Sequence, residues 1–400
     1  MLMSSSSRIT LNRLALVNNL AFLKTVIGDH AIFSSVVKSN AYGHGIDHFV
    51  PLVEACGIDH FSVFSLEEAR RVKHVCAPET RIMIMGHVDD EDLPWVIQQG
   101  IEFYVFAPHR LRETLRVCRE LGSRARVHLE LETGLHRTGL EEDELPGILE
   151  LLLGNPELVE VAGTCTHFAG AEVVSNYYRI QNQIRAFHER VRWLQDGGLD
   201  CGLLHAACSA AIFNYPETIL DMVRVGIAQY GMWSSQETRI RYLQRGDREG
   251  VTRSPDPLRR VLRWSSAVMD VKEVSEGEYI SYGYSFLSSR GMRIASVPVG
   301  YAQGYKREIS NQGHVLIRGS RAPVVGVINM NMMLVDITDI PGVSVGDEVV
   351  LIGMQGDIEI SVSSFSDMVH NLNYETLVGL PAETERLVVD RPLPARRNGL

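Results

Sequence analysis

The sequence predicts an α/β protein: a (β/α)8 barrel of the TIM type followed by a mostly antiparallel β domain. Two observations lead there. Residues 31–231 repeat one unit eight times: a short apolar strand, a polar turn and an amphipathic helix. After about residue 255 the repeat stops, and short β-type runs joined by tight turns replace it. A doubly wound parallel sheet is the alternative architecture for the first part.

Leu16, Leu20, Leu23 and Ile27 share one helical stripe, so the N-terminal segment reads as an amphipathic helix. Asn18 and Asn19 interrupt its apolar residues, which argues against a leader peptide. Strands are expected near 31–38, 60–65, 81–86, 101–106, 126–132, 160–167, 202–207 and 221–226. Between them, Ser65-Leu66-Glu67-Glu68 has the form of a capping box opening a helix. Further helices are expected from about Glu141 to Leu153 and from Tyr177 to Gln195, where Ile180, Ile184, Phe187 and Val191 recur at helical spacing. A charged, weakly patterned stretch from Gln236 to Arg253 leads into a break at Ser254-Pro255-Asp256-Pro257.

This places a barrel domain at 11–255 and a β domain at 256–390. Strands in the second are expected at Arg293–Val299, Val315–Arg318, Pro323–Ile328, Met333–Ile337 and Glu348–Ile352, with turns at Gly319-Ser320 and Gly346-Asp347. A helix fits only near Ser363–Leu372. Residues 1–10 are expected to pair with this domain.

The 400 residues are 45% hydrophobic and 22% charged, as in a soluble globular protein with ample core. A net charge of −10 argues against nucleic acid or an anionic membrane as partner, and no run reaches membrane-spanning length. The six cysteines show no Cys-x-x-Cys pair, which fits a reduced, cytoplasmic setting without structural metal.

Polar residues that stand out collect at the C-terminal ends of the expected strands, where barrels of this kind do their chemistry. Lys38 closes the first, inside Val36-Val37-Lys38-Ser39-Asn40-Ala41-Tyr42-Gly43-His44-Gly45. A lysine at the tip of a buried strand is costly unless paired, neutralised or bound to a carbonyl group as an imine. Arg137 follows the fifth strand, His167 closes the sixth, His205 and Ser209 lie at the end of the seventh, and Arg224, Gly226 and Ile227 at the end of the eighth. Each alone has a bland explanation as a structural histidine or a surface ion pair. Their placement at one rim is what singles them out.

The Lys38 segment resembles the cofactor-lysine motif of the alanine racemase family, and the resemblance runs from about residue 8 to 390. Glu132-Thr133-Gly134-Leu135-His136-Arg137-Thr138-Gly139 is similar to the family's arginine segment, and Cys165-Thr166-His167-Phe168-Ala169 to its histidine strand. His205-Ala206-Ala207-Cys208-Ser209-Ala210-Ala211 and Met222-Val223-Arg224-Val225-Gly226-Ile227 resemble its phosphate and pyridine segments. Ile280-Ser281-Tyr282-Gly283, Val299-Gly300-Tyr301-Ala302, Ile328-Asn329-Met330-Asn331-Met332 and Asn373-Tyr374-Glu375 follow in the family's order.

The resemblance implies racemisation of L- and D-alanine with pyridoxal 5'-phosphate. Lys38 and Tyr282 would be the two bases serving opposite faces of Cα. Lys38, Tyr42, His167, Ser209, Arg224, Gly226, Ile227 and Tyr374 would hold the cofactor, and Arg137 and the Met330 backbone the substrate carboxylate. A chain Tyr282–His167–Arg224 would favour the phenolate, with His205 orienting Arg224, whose permanent charge would leave the pyridine nitrogen unprotonated. The resemblance also implies a homodimer with shared active sites.

Four positions depart from the family pattern, among them His136, which replaces a small residue frequent in the family. Glu130 stands where a carbamylated lysine is common and is expected to orient Arg137 directly, and Asn329 and Asn331 flank Met330 in place of cysteine and aspartate. These departures leave room for a racemase of another amino acid such as serine. A decarboxylase would have no need of the Tyr282 base, and a non-catalytic pyridoxal-phosphate-binding barrel would lack the second domain. An unrelated barrel without cofactor would lack an absorbance band near the visible–ultraviolet boundary that is lost on borohydride treatment or in Lys38→Ala.

Overall fold

The computed structural model describes residues 6–248, 256–369 and 372–391. The chain forms two compact units: one of residues 15–39 and 49–259, the other of residues up to Leu14, Asn40–His48 and those from Arg260 on. The first strand in chain order, β1 (Arg8–Asn12), belongs to the second unit.

The first unit is the eight-stranded parallel barrel. Its strands are β2 (Ile32–Val36), β3 (His60–Val63), β4 (Arg81–Ile84), β5 (Glu102–Val105), β6 (Ala125–Glu130), β7 (Val159–Cys165), β8 (Leu203–His205) and β9 (Met222–Val225). They lie in the order β8-β7-β6-β5-β4-β3-β2-β9. The seam between β8 and β9 is joined where the Arg224 N–H donates to the Ala207 carbonyl at 3.0 Å. Met83, Tyr104, Cys165 and Met222, from four of the strands, pack into one buried cluster. Strands buried on both faces read as continuous apolar runs, which is why all eight are visible in the sequence.

The helices follow their signals. Helix Arg13–Ile27 buries Leu16, Leu20, Leu23 and Ile27. Helix Leu66–Val75 opens with the expected capping box, the Glu68 N–H donating to Ser65 Oγ at 3.3 Å. The helix expected from Glu141 starts as a 3-10 turn, Glu142–Glu144, and becomes α-helical at Leu145–Leu153, where a proline stands in its first turn. Helix Tyr177–Asp196 buries Ile180, Phe187 and Val191, with Gln183 beside them. The stretch read as weakly patterned is helical over Gln236–Arg248, while the expected break at 254–255 lies outside the described residues.

The second unit carries β10 (Leu262–Ala267), β11 (Asp270–Val274), β12 (Met292–Val297), β13 (His314–Ile317), β14 (Ser320–Pro323), β15 (Met333–Asp336), β16 (Glu348–Gln355), β17 (Ile358–Ile360) and β18 (Glu385–Val389). One sheet runs β14-β13-β16-β10-β1-β18 with β17 on β16, and a second runs β11-β12-β15. β1 pairs antiparallel with β10 and parallel with β18, as Arg8 opposite Ser265 and Glu385 shows. The strand expected at 323–328 is displaced. Pro323 ends β14, and beyond it only Val324 bridges to Val335 before Gly326 turns at φ 77°. Short helices Val362–Val369 and Asn373–Val378 occupy the region expected to hold one. No helix among the described residues is long and apolar enough to cross a membrane.

Candidate active site

Lys38 stands two residues beyond the end of β2, and that strand end is firmly held. The Val36 carbonyl accepts from Gln229 Nε2 at 3.0 Å and from the Tyr230 hydroxyl at 2.9 Å. The Val37 N–H donates to the Ser62 carbonyl at 2.9 Å. Next in the chain, the Ser39 N–H donates to Glu68 Oε1 while Glu68 Oε2 accepts from Phe64 N–H at 2.9 Å. One carboxylate thus caps its own helix and clamps the backbone after Lys38. Burial, and after it the Arg137 charge, lowers the Lys38 pKa; Glu68 opposes the shift.

Beyond Lys38 the backbone turns left-handed. Ser39, Asn40, Ala41 and Tyr42 have φ of 53°, 54°, 53° and 51°. Each such L-residue costs about 1–2 kcal/mol, so a run of four persists only where surrounding bonds over-determine it. The Asn40 carbonyl accepts the Gly45 N–H at 2.8 Å, and its Oδ1 accepts the Ile46 N–H at 3.1 Å. The Gly43 carbonyl accepts from Arg386 Nε at 3.1 Å and Nη2 at 2.9 Å. Gly43 itself has φ 74°, and a Cβ there would lie 2.1 Å from the Leu377 carbonyl oxygen.

The loops after β6 and β7 are tied together by Gln183. Its Oε1 accepts the Ala169 N–H at 2.8 Å, and its Nε2 donates to the His167 carbonyl at 3.1 Å and to Thr133 Oγ1 at 3.3 Å. Glu132 shapes the arginine loop by accepting the N–H groups of Gly134 and, at 2.8 Å, of His136. Arg137 is left exposed. Glu130 is buried at 4% exposure, and burial raises its pKa against the opposing pull of Thr138, Arg224 and Arg137. The expectation that it orients Arg137 directly is not met: no hydrogen bond or ion pair joins the two among the described residues, and Glu130 Oε2 is buried without a partner. Glu130 ends β6 inside the barrel while Arg137 sits at the tip of the following loop, so its influence on the arginine is through space.

Arg224 donates from Nη1 to His205 Nδ1 and, at 2.9 Å, to the His205 carbonyl. Its Nη2 donates to the carbonyls of Thr166 at 2.7 Å and Ala206 at 3.3 Å. No hydrogen bond joins it to the His167 ring among the described residues, so the expected His167–Arg224 link is absent. Burial, then the charges of Arg224, Arg137 and Lys38, push the His167 pKa down to about 3, which keeps that ring neutral. Ser209 Oγ accepts the N–H groups of Gly226 at 2.9 Å and Ala228 at 3.4 Å, leaving its own O–H to donate. The Ile227 N–H between them donates to no protein group among the described residues.

Behind Arg224 runs a buried chain that the strand-end reading overlooked. His205 Nε2 lies 2.9 Å from His128 Nδ1, and His128 Nε2 lies 2.9 Å from Glu102 Oε2. Gly163, opposite His128 on β7, makes room for the ring, since a Cβ there would lie 2.5 Å from His128 Nδ1. A glutamate opening β5 and a histidine within β6 break otherwise apolar runs. Polar residues inside buried parallel strands were the available signal.

The second unit holds the other expected residues. Tyr42 and Tyr374 rings lie 5.9 Å apart. Tyr282 is 72% and Met330 57% exposed. Their neighbours tie the two loops together: Ser281 Oγ donates to the Val327 carbonyl at 2.7 Å and to Asn329 Oδ1 at 3.3 Å. Gly300 fits under this loop, where a Cβ would meet the Asn329 carbonyl oxygen at 2.1 Å.

Residues 11–233 match the family model of the alanine racemase N-terminal domain, and residues 261–388 that of the C-terminal domain. The chain is 31% identical over 385 residues to the alanine racemase of Leptospira interrogans, with 96% of each chain covered. It is similar in structure to the alanine racemase from Bacillus anthracis with bound L-Ala-P, at TM-score 0.86 and 28% identity, covering 100% of this chain and 97% of that one. It is also similar to the alanine racemase from Bartonella henselae with covalently bound pyridoxal phosphate, at TM-score 0.81 and 26% identity, covering 96% and 100%.

Proposed function

Because this chain belongs to the alanine racemase family, we propose that it interconverts L- and D-alanine with pyridoxal phosphate attached at Lys38. The observation that best supports this is Lys38 itself, an amine at the end of a barrel strand with its pKa lowered by burial and by Arg137. An amine that sheds its proton more readily serves both as the point of covalent attachment and as a base. When bound, pyridoxal phosphate draws electrons from the Cα–H bond of the amino acid it carries.

The residues present fit that group. The Ser209 O–H and the Ile227 N–H are donors that no protein acceptor takes up among the described residues, and the Gly226 N–H holds Ser209 in place. Tyr42 and Tyr374 supply further hydroxyls for the phosphate. Arg224, donor-only and permanently charged, would hold the ring nitrogen by donating to it and would leave it unprotonated. His167 completes the cofactor's surroundings as a neutral ring, and Arg137 and the Met330 backbone hold the substrate carboxylate. Lys38 takes or returns the Cα proton on one face and Tyr282 on the other.

The second base comes from the partner subunit of a homodimer with two shared sites. The exposure of Tyr282, at 72%, together with that of Tyr279, Tyr284 and Met330, supports an interface on this face.

Exchange of the α-hydrogen in deuterium oxide, followed by NMR over a panel of L- and D-amino acids, tests the reading. Both alanine enantiomers should exchange, and the Lys38→Ala variant should not. Faster exchange of serine or another amino acid would reassign the substrate. Absence of exchange at full cofactor loading would leave a binding protein and overturn the proposal.

A further inference from the structure

We infer that Glu102 is a positioning residue for Arg224, acting through His128 and His205 by fixing the tautomer of both rings. The argument is one of donors and acceptors. Arg224 is a donor at every nitrogen, so His205 Nδ1, to which it donates, must be bare. A neutral imidazole bare at Nδ1 carries its proton on Nε2, and that nitrogen faces His128 Nδ1 at 2.9 Å. His128 Nδ1 must therefore accept, which puts the His128 proton on Nε2, 2.9 Å from Glu102 Oε2. The chain closes only if Glu102 accepts there, as a carboxylate does. A donor-only group at one end and an acceptor-only group at the other allow one arrangement of protons between them.

Everything around the chain enforces that arrangement. Glu102, His128 and His205 are 0% exposed and Arg224 5%, so bulk water cannot repair a mismatch. Glu102 Oε1 accepts from Arg81 Nε at 3.0 Å and Nη2 at 2.8 Å, and pairs with Arg126 Nη1 at 2.8 Å, which keeps it ionised. His60 Nε2 adds a longer contact to Oε2 at 3.4 Å while its Nδ1 lies 2.8 Å from Ser34 Oγ. A protonated His205 would set its Nδ1–H against the Arg224 N–H, donor against donor. The array is thus a clamp and not a proton wire: shifting every proton one place would require a neutral guanidinium.

Glu102→Gln tests this with little change in shape. The amide places an N–H₂ group where one oxygen stood; against Arg81 and Arg126 it would meet only donors, so it turns to His128. That ring must then take the other tautomer, His205 follows, and Arg224 loses its acceptor. The full-length protein, selectively labelled with 15N-histidine, should show bare Nδ1 and protonated Nε2 at both His128 and His205. In Glu102→Gln at least one of these should switch or mix, while Glu102→Asp should restore the original pattern at least partly. In alanine racemisation kcat should fall on the order of 10- to 100-fold in Glu102→Gln with KM little changed, because a guanidinium is misdirected and no substrate contact is removed.

A wild-type His205 carrying its proton on Nδ1 would overturn the inference without any variant, so a Glu102→Gln protein that failed to fold would not shield it. Unchanged tautomers in a folded Glu102→Gln protein, or switched tautomers with unchanged kcat, would also overturn it. The assignment of what Arg224 faces rests on the proposed function. If the wild-type protein shows the expected tautomers yet exchanges no amino acid, that reading fails and the proton arrangement stands.

Discussion

Ser209 Oγ accepts the Gly226 N–H at 2.9 Å, so the hydroxyl after β8 builds the turn after β9. Ser209→Ala removes both that acceptor and the O–H proposed to donate to the cofactor phosphate. We expect pyridoxal phosphate to bind about 10-fold more weakly, the loss of one charge-assisted hydrogen bond. Titration of cofactor-free protein, followed by absorbance, measures it; an unchanged dissociation constant would remove Ser209 from the phosphate seat.

Arg137 and Glu68 act on Lys38 in opposite directions, the first lowering and the second raising its pKa. In cofactor-free protein, Arg137→Gln should move the pH midpoint for acylation of Lys38 upward. Glu68→Gln should move it downward. Mass spectrometry of the labelled Lys38 peptide reads both, and a common direction would contradict the placement of these charges.

Glu130 has a folded-state pKa raised above its ordinary value of 4.5, chiefly by burial. A carboxylate raised in this way favours the folded state fully below its unfolded pKa and progressively less as pH rises through the folded value. Glu130→Gln should therefore gain stability relative to wild type as pH climbs from about 4.5, with the difference levelling off above the folded value. Denaturant melts at a series of pH values test the sign. The same substitution should raise KM for alanine, because a negative charge near Arg137 is removed.

Tyr282 and Lys38 belong to different compact units, and the proposed dimer draws them from different chains. Lys38→Ala and Tyr282→Phe homodimers should each be nearly inactive. Mixed under conditions that exchange subunits, they should form hybrids with one intact site and recover a substantial fraction of wild-type activity. Proven exchange without recovery would mean that the two bases come from the same chain.

Gly43 combines a φ of 74° with a Cβ position 2.1 Å from the Leu377 carbonyl oxygen. Gly43→Ala should lower stability on the order of 2–3 kcal/mol, from left-handed strain and backbone displacement together. Chemical denaturation checks the magnitude.

The barrel strands and the Ser65–Glu68 cap were legible because each is a local pattern: an apolar run, or four residues in a fixed spacing. The edge of β14 was not, since Val324 and Val325 look like strand residues although Pro323 has no N–H to extend the ladder. The helix Gln236–Arg248 was hidden by its charges. At the site, residues at strand ends stood out by position. Glu102 and His128 lie within strands, and only the fold reveals that β5, β6 and β8 stack them into one line with Arg224. Glu130 stands out in the sequence, yet its lack of a bond to Arg137 depends on how far a seven-residue loop carries the arginine.

The excursion Asn40–His48 leaves the barrel unit immediately after Ser39 and is bound into the β unit, with Arg386 gripping Gly43. The gene therefore cannot be cut cleanly between its two halves. A fragment ending at Arg259 would retain Lys38 but strip its adjoining left-handed turn of the arginine that grips it. Domain shuffling among such enzymes would have to exchange these nine residues together with the C-terminal part, or inherit a mismatched splice beside Lys38.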